Sequence, residues 1–420
     1  MLAFPTLVTL LLALPATLAR DEPHRLPSTS LDSDVSSSTP HRPRSLAARA
    51  SSSCSSKPPI MAQYYPAWQS GQSPAQVDWK RADIAYYFAA PTTSKGLALP
   101  EGATLDGMKQ FVATAKANGK KAGLTLGGWE GSVYFSDLVA TVKNRASFAN
   151  TVKSWVTTYG FMAVSFDWEF IGKQGAGNNK VRSSDAANLI KFFATLRQTL
   201  GSSITISADV PAGGIVGADG NKLTDVSKFA ANLDYVSLMT YDFYGPWSKT
   251  TGAHAALYTC NASSYSVDQS VRDWMSRGLP ACKILTGMPG YSHRFRTAKT
   301  KLATTTYNGK KSISFQALAS PGIDDDTSTT RQLVSQGLLS ADLSKGTSGY
   351  TRSFDSCTQT PVLFNGASDK KIFITYEDQQ SFKAKAAYAK KMGLAGIVVY
   401  DSTGPAPSMF DAAASGLGHA

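Results

Sequence analysis

The sequence predicts an α/β fold, a (β/α)8 TIM barrel with an insertion between its seventh and eighth strands. Two observations lead to this prediction: eight short apolar runs of β-type residues follow one another along the chain, and helical patterns separate them. The runs are Ile60–Tyr65, Ile84–Ala89, Lys121–Leu126, Met162–Phe166, Ile204–Ala208, Tyr235–Met239, Ile284–Met288 and Ile397–Tyr400. Strands separated by helices form a parallel sheet, and eight of them are expected to close into a barrel with its active site at the C-terminal strand ends.

The helices and the insertion are visible in the spacing of apolar residues. Phe148, Val152 and Tyr159 recur at helical intervals, and Gly160 then predicts the end of that helix. The stretch between the seventh and eighth runs is too long for a single helix. We expect one helix near Ser381–Lys391 and interpret the remainder as an insertion on the top face of the barrel, where it can wall a cleft.

Two N-terminal segments are predicted to precede the barrel domain. Residues 1–19 are apolar, too short for a comfortable membrane span, and end in small residues. This pattern is typical of a secretory signal peptide and predicts a secreted, extracellular protein; a buried helix is the alternative. Residues 20–57 are rich in Ser, Pro and Arg, which predicts a disordered linker or pro-segment. The barrel domain is therefore expected over residues 58–420.

The composition bounds the possible partners. The chain has 420 residues, of which 42% are hydrophobic, so one large core is feasible. Its net charge of +12 is scattered and not interleaved with aromatic residues, so we expect no nucleic-acid partner. No later segment is apolar enough for a bilayer, and we expect no membrane partner and a monomer. No phosphate or dinucleotide motif occurs, so no cofactor is expected, and His254 and His293 are interpreted as loop contacts rather than metal ligands.

Four cysteines are present, and their even number in a predicted secreted chain indicates disulfides. Cys54, Cys260, Cys282 and Cys357 allow three pairings, between which the sequence does not choose. Their wide spacing argues against zinc. Asn261 opens a possible N-glycosylation site.

The fourth run ends in two carboxylates. Side chains alternate along a strand, so Ser165, Asp167 and Glu169 are predicted to share one face, which points into the barrel. Two carboxylates there repel and desolvate each other, which raises one pKa and can keep one acid protonated. Cleavage of a glycosidic bond requires such an acid. A salt-bridged structural pair is the alternative interpretation of an isolated Asp-x-Glu.

The Asp-Trp-Glu motif is accompanied by other distinctive segments along the chain. They are Gln63–Trp68, Thr125–Trp129, Leu238–Trp247 with Thr251–Tyr258 after it, and Gly287–Tyr291. The segment ending in Asp167-Trp168-Glu169 resembles the signature D-G-x-D-x-D-x-E of glycoside hydrolase family 18 chitinases, and the other four segments resemble motifs of that family in the same order. Residues 60–405 together therefore resemble this family.

The resemblance implies a mechanism and a set of site residues. In this family the substrate's own acetamido oxygen attacks the anomeric carbon, so the protein only protonates and positions. By match, Glu169 is the general acid and then the base, and Asp167 holds the acetamide nitrogen. Tyr241 donates to the acetamide, and Asp242 accepts from the sugar. The sugar site is implied to be lined by Tyr64, Phe88, Trp129, Met239 and Tyr291, with Tyr400 in place of the usual tryptophan on strand eight.

The sequence departs from the family signature at two aspartates. Met162 stands at the first, where we expect it to fill a polar spot of the barrel interior with an apolar side chain. Ser165 stands where the resemblance implies a buried aspartate that shares a proton with Asp167. Serine cannot exchange a proton at a useful pKa, and removing one preorganised partner costs on the order of 10²–10³ in rate.

Three functional hypotheses follow. The first is a secreted chitinase-like protein that binds chitin oligosaccharides with impaired or absent hydrolysis and sequesters chitin fragments. The second is an active endochitinase that uses an altered proton network, because Asp167 and Glu169 are both retained. The third is a structural or lectin-like wall protein for another glycan, which binding to cellulose but not to chitin would support.

Overall fold

A computed structural model describes residues 58–69, 73–245, 247–261, 265–314, 316–319 and 327–419. The predicted signal peptide and linker lie outside the described residues. Eight parallel strands form a closed barrel in which each strand neighbours the next one along the chain and the last returns to the first. They are β1 Ile60–Pro66, β2 Ile84–Ala90, β3 Lys121–Gly127, β4 Ala163–Asp167, β5 Thr205–Pro211, β6 Tyr235–Met239, β7 Ile284–Pro289 and β8 Gly396–Tyr400. The predicted fold is therefore confirmed.

Helices surround the strands. They are α1 Leu105–Ala117, α2 Phe135–Val139, α3 Val142–Tyr159, α4 Asp185–Leu200, α5 Ser227–Ala230, α6 Val267–Ser276, α7 Thr330–Ser335, α8 Gln379–Lys391 and α9 Pro407–Leu417. Helix α3 starts where the Thr141 side chain accepts from the backbone of Asn144, and it ends at Gly160, whose φ of 79° suits a residue without a Cβ. None of the helices in the described part of the chain has the length and hydropathy needed to cross a membrane.

An aromatic layer between the strands and the helices holds β4 in register. The Phe166 ring lies 5.4 Å from the rings of Phe192 and Phe193 on α4 and 6.4 Å from Phe148 on α3. Because side chains alternate along β4, Phe166 faces this apolar layer while Asp167 faces the barrel interior. A slip of one residue would bury Asp167 among these rings, so the packing of Phe166 keeps the carboxylate pointed inward.

The insertion between β7 and β8 is a small unit with its own core. Its main part is an antiparallel sheet with the strand order His293–Arg296, Ile372–Thr375, Thr360–Asn365 and Thr351–Asp355. A hairpin of Thr304–Tyr307 and Lys310–Ile313 and helix α7 complete it. The disulfide Cys260–Cys357 ties the loop after β6 to this insertion. Of the three pairings that the sequence leaves open, this bond selects the one that joins Cys260 to Cys357. Cys54 lies outside the described residues.

A buried ion pair joins the insertion to the barrel. Glu377 precedes α8, and Lys385 on α8 donates to both of its carboxylate oxygens at 2.5 and 2.6 Å. Both side chains are withdrawn from solvent. Each charge is therefore stabilised by its partner in place of the water that burial has removed.

Candidate functional site

A cavity opens at the C-terminal ends of the barrel strands, as the fold predicts. The space that it encloses, counted up to and including its opening to solvent, is about 230 Å³. The residues lining it are Tyr64, Phe88, Asp167, Asp209, Met239, Tyr241 and Tyr400.

The apolar walls of the cavity are aromatic rings from several strand ends. The Tyr400 ring centre lies 5.8 Å from that of Tyr64, 5.3 Å from Phe88 and 6.1 Å from Tyr241. Tyr291 stands behind them, 6.1 Å from Tyr241 and 6.3 Å from Tyr400. Rings in such edge-to-face and stacked arrangements form a stiff wall that can contact the apolar face of a ligand.

Two of the sequence-predicted lining residues, Tyr291 and Trp129, are not among the residues that line this cavity. The Trp129 ring packs edge-on against Phe170, with the ring centres 6.0 Å apart. Trp129 is half-buried at the end of β3, so its indole is accessible from outside the cavity.

Of the two predicted acids, Asp167 lines the cavity, whereas Glu169 is fully buried and is not among the lining residues. Burial raises the pKa of Asp167 well above its usual range, and the charges of Glu169 and Asp209 raise it further. The Oδ1 atom of Asp167 has no hydrogen-bond partner among the described residues. The surroundings of Asp167 thus favour its protonated form, and its side chain faces a cavity.

Backbone contacts fix the position of both acids. The Glu169 N–H donates to Ser132 Oγ at 3.0 Å, and the Asn179 side chain donates to the Glu169 carbonyl at 2.6 Å. The Gly128 N–H donates to the Asp167 carbonyl at 2.9 Å. A Cβ at Gly127 would lie 2.2 Å from the same carbonyl oxygen, so only glycine permits this approach.

Asp209 on β5 is a site residue that the sequence analysis missed. It is buried and lines the cavity beside Asp167, with which it is paired in register. Tyr64 OH donates to its Oδ1 at 2.5 Å, and Ser165 Oγ lies 3.0 Å from both carboxylate oxygens. Burial raises its pKa to about 6. The available signal was a lone acid immediately after the apolar run Ile204–Ala208, at the C-terminal end of a predicted strand.

The two degenerate signature positions have different surroundings. Ser165 is fully buried and points into the barrel as predicted. The prediction for Met162 was wrong: it precedes β4, and its side chain is 44% exposed. The cause is strand parity, since Ala163, Ser165 and Asp167 face inward and Met162 belongs to the opposite face at the N-terminal end. Met162 therefore touches neither acid and does not change the proton network.

Asp242 occupies a left-handed backbone conformation, with φ of 58°, just after β6. Tyr291 OH donates to its Oδ1 at 2.7 Å, and His293 Nε2 lies 2.8 Å from the same atom. His254 Nδ1 is 3.7 Å away. Burial lowers the pKa of His254 to about 4, so this imidazole is neutral at neutral pH. A non-glycine residue held at positive φ costs of the order of 1–3 kcal/mol and is concentrated at functional sites.

His254 and His293, which the sequence analysis interprets as loop contacts, are both fully buried beside Asp242. His254 lies in the loop after β6, and His293 lies in the first strand of the insertion. The ligand-type atoms of these three residues lie within 4.8 Å of one another, so they are of the type that can hold a metal ion. The contact of 2.8 Å between Asp242 and His293 is, however, a hydrogen-bond distance. The arrangement fits a carboxylate held by hydrogen bonds from Tyr291 and His293.

The chemistry available at this site is proton transfer and hydrogen bonding to a neutral ligand. Burial raises the pKa of Tyr241 well above 10, so its phenol stays neutral and can donate. Burial raises the pKa of both Asp167 and Asp209, that of Asp209 to about 6, so each carboxyl can carry a proton at a higher pH than an exposed aspartate. Aromatic walls with convergent polar groups suit a polyhydroxylated ring.

Comparison with known proteins gives a consistent result. The model of the family described as Glycosyl hydrolases family 18 matches residues 60–404. A chitinase-like effector of Moniliophthora roreri is 35% identical over 370 residues, covering 82% of this chain and 89% of that protein. A chitinase-like effector of Moniliophthora perniciosa is 31% identical over 388 residues, covering 84% and 86%.

Other similar proteins match a smaller share of this chain or are similar in fold at lower identity. Chitotriosidase-1 of Mus musculus is 32% identical over 295 residues, covering 66% of this chain and 57% of that protein. Among solved structures, a chitinase from Rhizomucor miehei superposes with a TM-score of 0.73 at 23% identity, covering 85% of this chain and 99% of that one. At this identity the superposition supports the fold alone.

Proposed function

The chain belongs to glycosyl hydrolases family 18, and from this premise we propose that it is a secreted chitinase-like protein that binds chitin oligosaccharides and hydrolyses them slowly or not at all. The observation that carries the proposal is the cavity in which Asp167, Tyr241 and the Tyr400 ring converge. An acetamido sugar offers an N–H, a carbonyl and an apolar ring face. A carboxylate, a phenol and an aromatic ring are the matching partners.

In the proposed reaction, Glu169 donates its proton to the glycosidic oxygen while the bond to the anomeric carbon breaks. The acetamido oxygen of the same sugar forms a bond to that carbon, and Asp167 stabilises the resulting positive charge. Water then attacks the anomeric carbon, Glu169 takes its proton, and the acetamide is restored. Tyr241 donates to the acetamide, and Asp242 accepts from a sugar hydroxyl.

Slow hydrolysis is proposed because Ser165 replaces an acid next to Asp167. The hydroxyl of Ser165 is engaged with Asp209 at 3.0 Å and carries no exchangeable proton at a useful pKa. Met162 adds nothing to the deficit, since its side chain lies outside the barrel interior. Sugar binding depends on groups that are retained, so binding and turnover are expected to separate.

One observation favours the second candidate, an active endochitinase. Asp209 brings a carboxylate next to Asp167 that the signature alone does not reveal. If this group restores proton exchange, turnover approaches that of ordinary family members. The assay below decides between the two candidates.

The proposed role is the sequestration of chitin fragments outside the cell. Two relatives of this chain carry the description chitinase-like effector, whereas others are described as chitinases. A binding site with reduced turnover suits a protein that retains its ligand. Secretion rests on the apolar segment 1–19 and would be checked by the N-terminal sequence of the protein recovered from culture medium.

Calorimetric titration with chitin hexaose, beside a turnover assay on the same sugar, tests the proposal. We expect a Kd of about 1–100 μM and turnover on the order of 10²–10³ below that of ordinary family members. Cellohexaose, which lacks acetamido groups, is the control and should not bind. Binding of cellohexaose alone would instead identify a lectin for another glycan, and ordinary turnover would establish the endochitinase.

The variant Tyr400→Ala should weaken binding of chitin oligosaccharides about tenfold, or ~1.4 kcal/mol, because it removes one ring of the cavity wall. Titration calorimetry measures the change. Tyr307→Ala, in the hairpin of the insertion, is a matched control that should bind like the wild type. Equal affinity for both variants would mean that the sugar does not contact Tyr400.

A further inference from the structure

The cavity is lined by a carboxylate from β5, Asp209, in addition to Asp167 of β4. Asp209 and Asp167 are register partners on neighbouring parallel strands, and both line the cavity. Neighbouring strands run about 4.8 Å apart, and both side chains point inward. The two carboxylates are therefore direct neighbours, although they belong to distant parts of the sequence.

The surroundings of Asp209 contain hydroxyls and acids. The groups facing it are Tyr64 from β1, Tyr86 from β2, Ser165, Asp167 and Glu169 from β4 and the segment after it, Ser237 from β6, and Tyr241. None of these groups, which belong to the described part of the chain, is a cation. Two buried carboxylates in such surroundings cannot both ionise without a large cost.

Ser165 links the carboxylate of Asp209 to β4. Its Oγ is 3.0 Å from both oxygens of Asp209, and Tyr64 OH holds Oδ1 from the opposite side. The residue that replaces the signature aspartate thus serves as a hydrogen-bond partner for an acid on the next strand. Position 165 therefore carries no carboxylate, but Asp209 places one beside Asp167.

We infer that Asp209 is a positioning residue that shares a proton with Asp167 and so supplies a part, but not the whole, of the proton exchange that an acid at position 165 would provide. This inference rests on the proposed function, since it assumes that a sugar lies against Asp167. Burial raises the pKa of both acids, that of Asp209 to about 6, which agrees with a pair that titrates as a unit.

The sharing of one proton has a predictable consequence for binding. Below pH 6 the pair keeps a proton and carries at most one charge; above it, the second carboxylate ionises. A neutral sugar that covers the pair makes the second charge more costly, so binding favours the form that keeps the proton. Kd should therefore rise with pH above about 6, by no more than tenfold per pH unit for one proton.

The test measures Kd for chitin tetraose from pH 5 to 8. For the wild type, Kd should rise by about threefold or more between pH 5.5 and 7.5, as one-proton linkage allows. In Asp209→Asn, which keeps the shape, Asp167 loses one of its two like-charged neighbours and the partner for its shared proton, so this limb should weaken and move to lower pH. Asp369→Asn, at an exposed aspartate, is the control and should retain the limb. A limb that persists unchanged in Asp209→Asn overturns the inference.

A swap of the two side chains separates proton sharing from a structural role. Asp209→Ser should lose the limb, and the double variant Ser165→Asp/Asp209→Ser should regain it, because a carboxylate again stands beside Asp167. Residual turnover should fall in the single variant and recover in the double one. A double variant that folds with the wild-type Tm but shows no limb also contradicts proton sharing.

A readout without sugar keeps this inference apart from the proposed function. In protein with ¹³C-labelled aspartate carboxyls, the pair should titrate near pH 6 in the wild type, and this titration should be absent in Asp209→Asn. Ordinary, independent titration of both acids overturns the inference even if chitin oligosaccharides bind. Coupled titration without sugar binding supports the pair and refutes the proposed function.

Discussion

Replacement of Glu169 by glutamine should lower hydrolysis of chitin oligosaccharides by about 10³-fold while leaving their binding nearly unchanged. Glutamine keeps the size of the side chain but cannot give a proton to the glycosidic oxygen, and general acid–base catalysis contributes about 10²–10⁴-fold. The backbone of Glu169 is held by Ser132 and Asn179, so the substituted side chain should keep its place. Release of reducing ends over long incubation gives the rate, and calorimetry gives Kd.

The control for this variant is Glu130→Gln, which changes an exposed glutamate on the loop after β3. It should hydrolyse and bind like the wild type. Hydrolysis that survives in Glu169→Gln would show that another group is the acid.

Replacement of Lys385 by methionine should destabilise the fold by about 3–5 kcal/mol, because it leaves Glu377 buried without its partner. Denaturant unfolding at pH 7, followed by far-UV circular dichroism, measures the loss. Burial already raises the pKa of Glu377 above 4.5, and Lys385 is the group that counters this shift. Without the lysine, the protein folds at neutral pH either with Glu377 protonated or with its charge buried and unpaired, and both states cost free energy.

The loss of stability in Lys385→Met should depend on pH, and the raised pKa of Glu377 gives the direction. A carboxyl whose folded pKa is raised loses stability as pH increases through the unfolded value, so the deficit of Lys385→Met should be small near pH 4 and grow toward pH 8. The double variant Glu377→Leu/Lys385→Met removes both charges and should recover most of the stability. A single variant that loses less than about 1 kcal/mol at pH 7 would contradict the buried-pair assignment.

The sequence by itself determined the barrel. Eight apolar runs separated by helical patterns fixed the number of strands, and each predicted run overlaps an observed strand. The position of the insertion was also predictable, because the stretch before β8 exceeds one helix. The inward orientation of Asp167 and Ser165 followed from alternation. These features depend on the order and spacing of residues that are close together in the chain, so they can be predicted from the sequence alone.

The neighbours across the barrel were decided only by the tertiary structure. Asp209 lies beside Asp167 because β4 and β5 pair in one register, and no local pattern on either strand states that register. His254 and His293 meet at Asp242 because the loop after β6 and the first strand of the insertion fold back over the same strand end. Met162 was misplaced for a different reason: the prediction followed the signature match, whereas the alternation of side chains along β4 puts Met162 on the face opposite to Ser165 and Asp167. Contacts between distant segments arise from barrel closure, a property of all eight strands together.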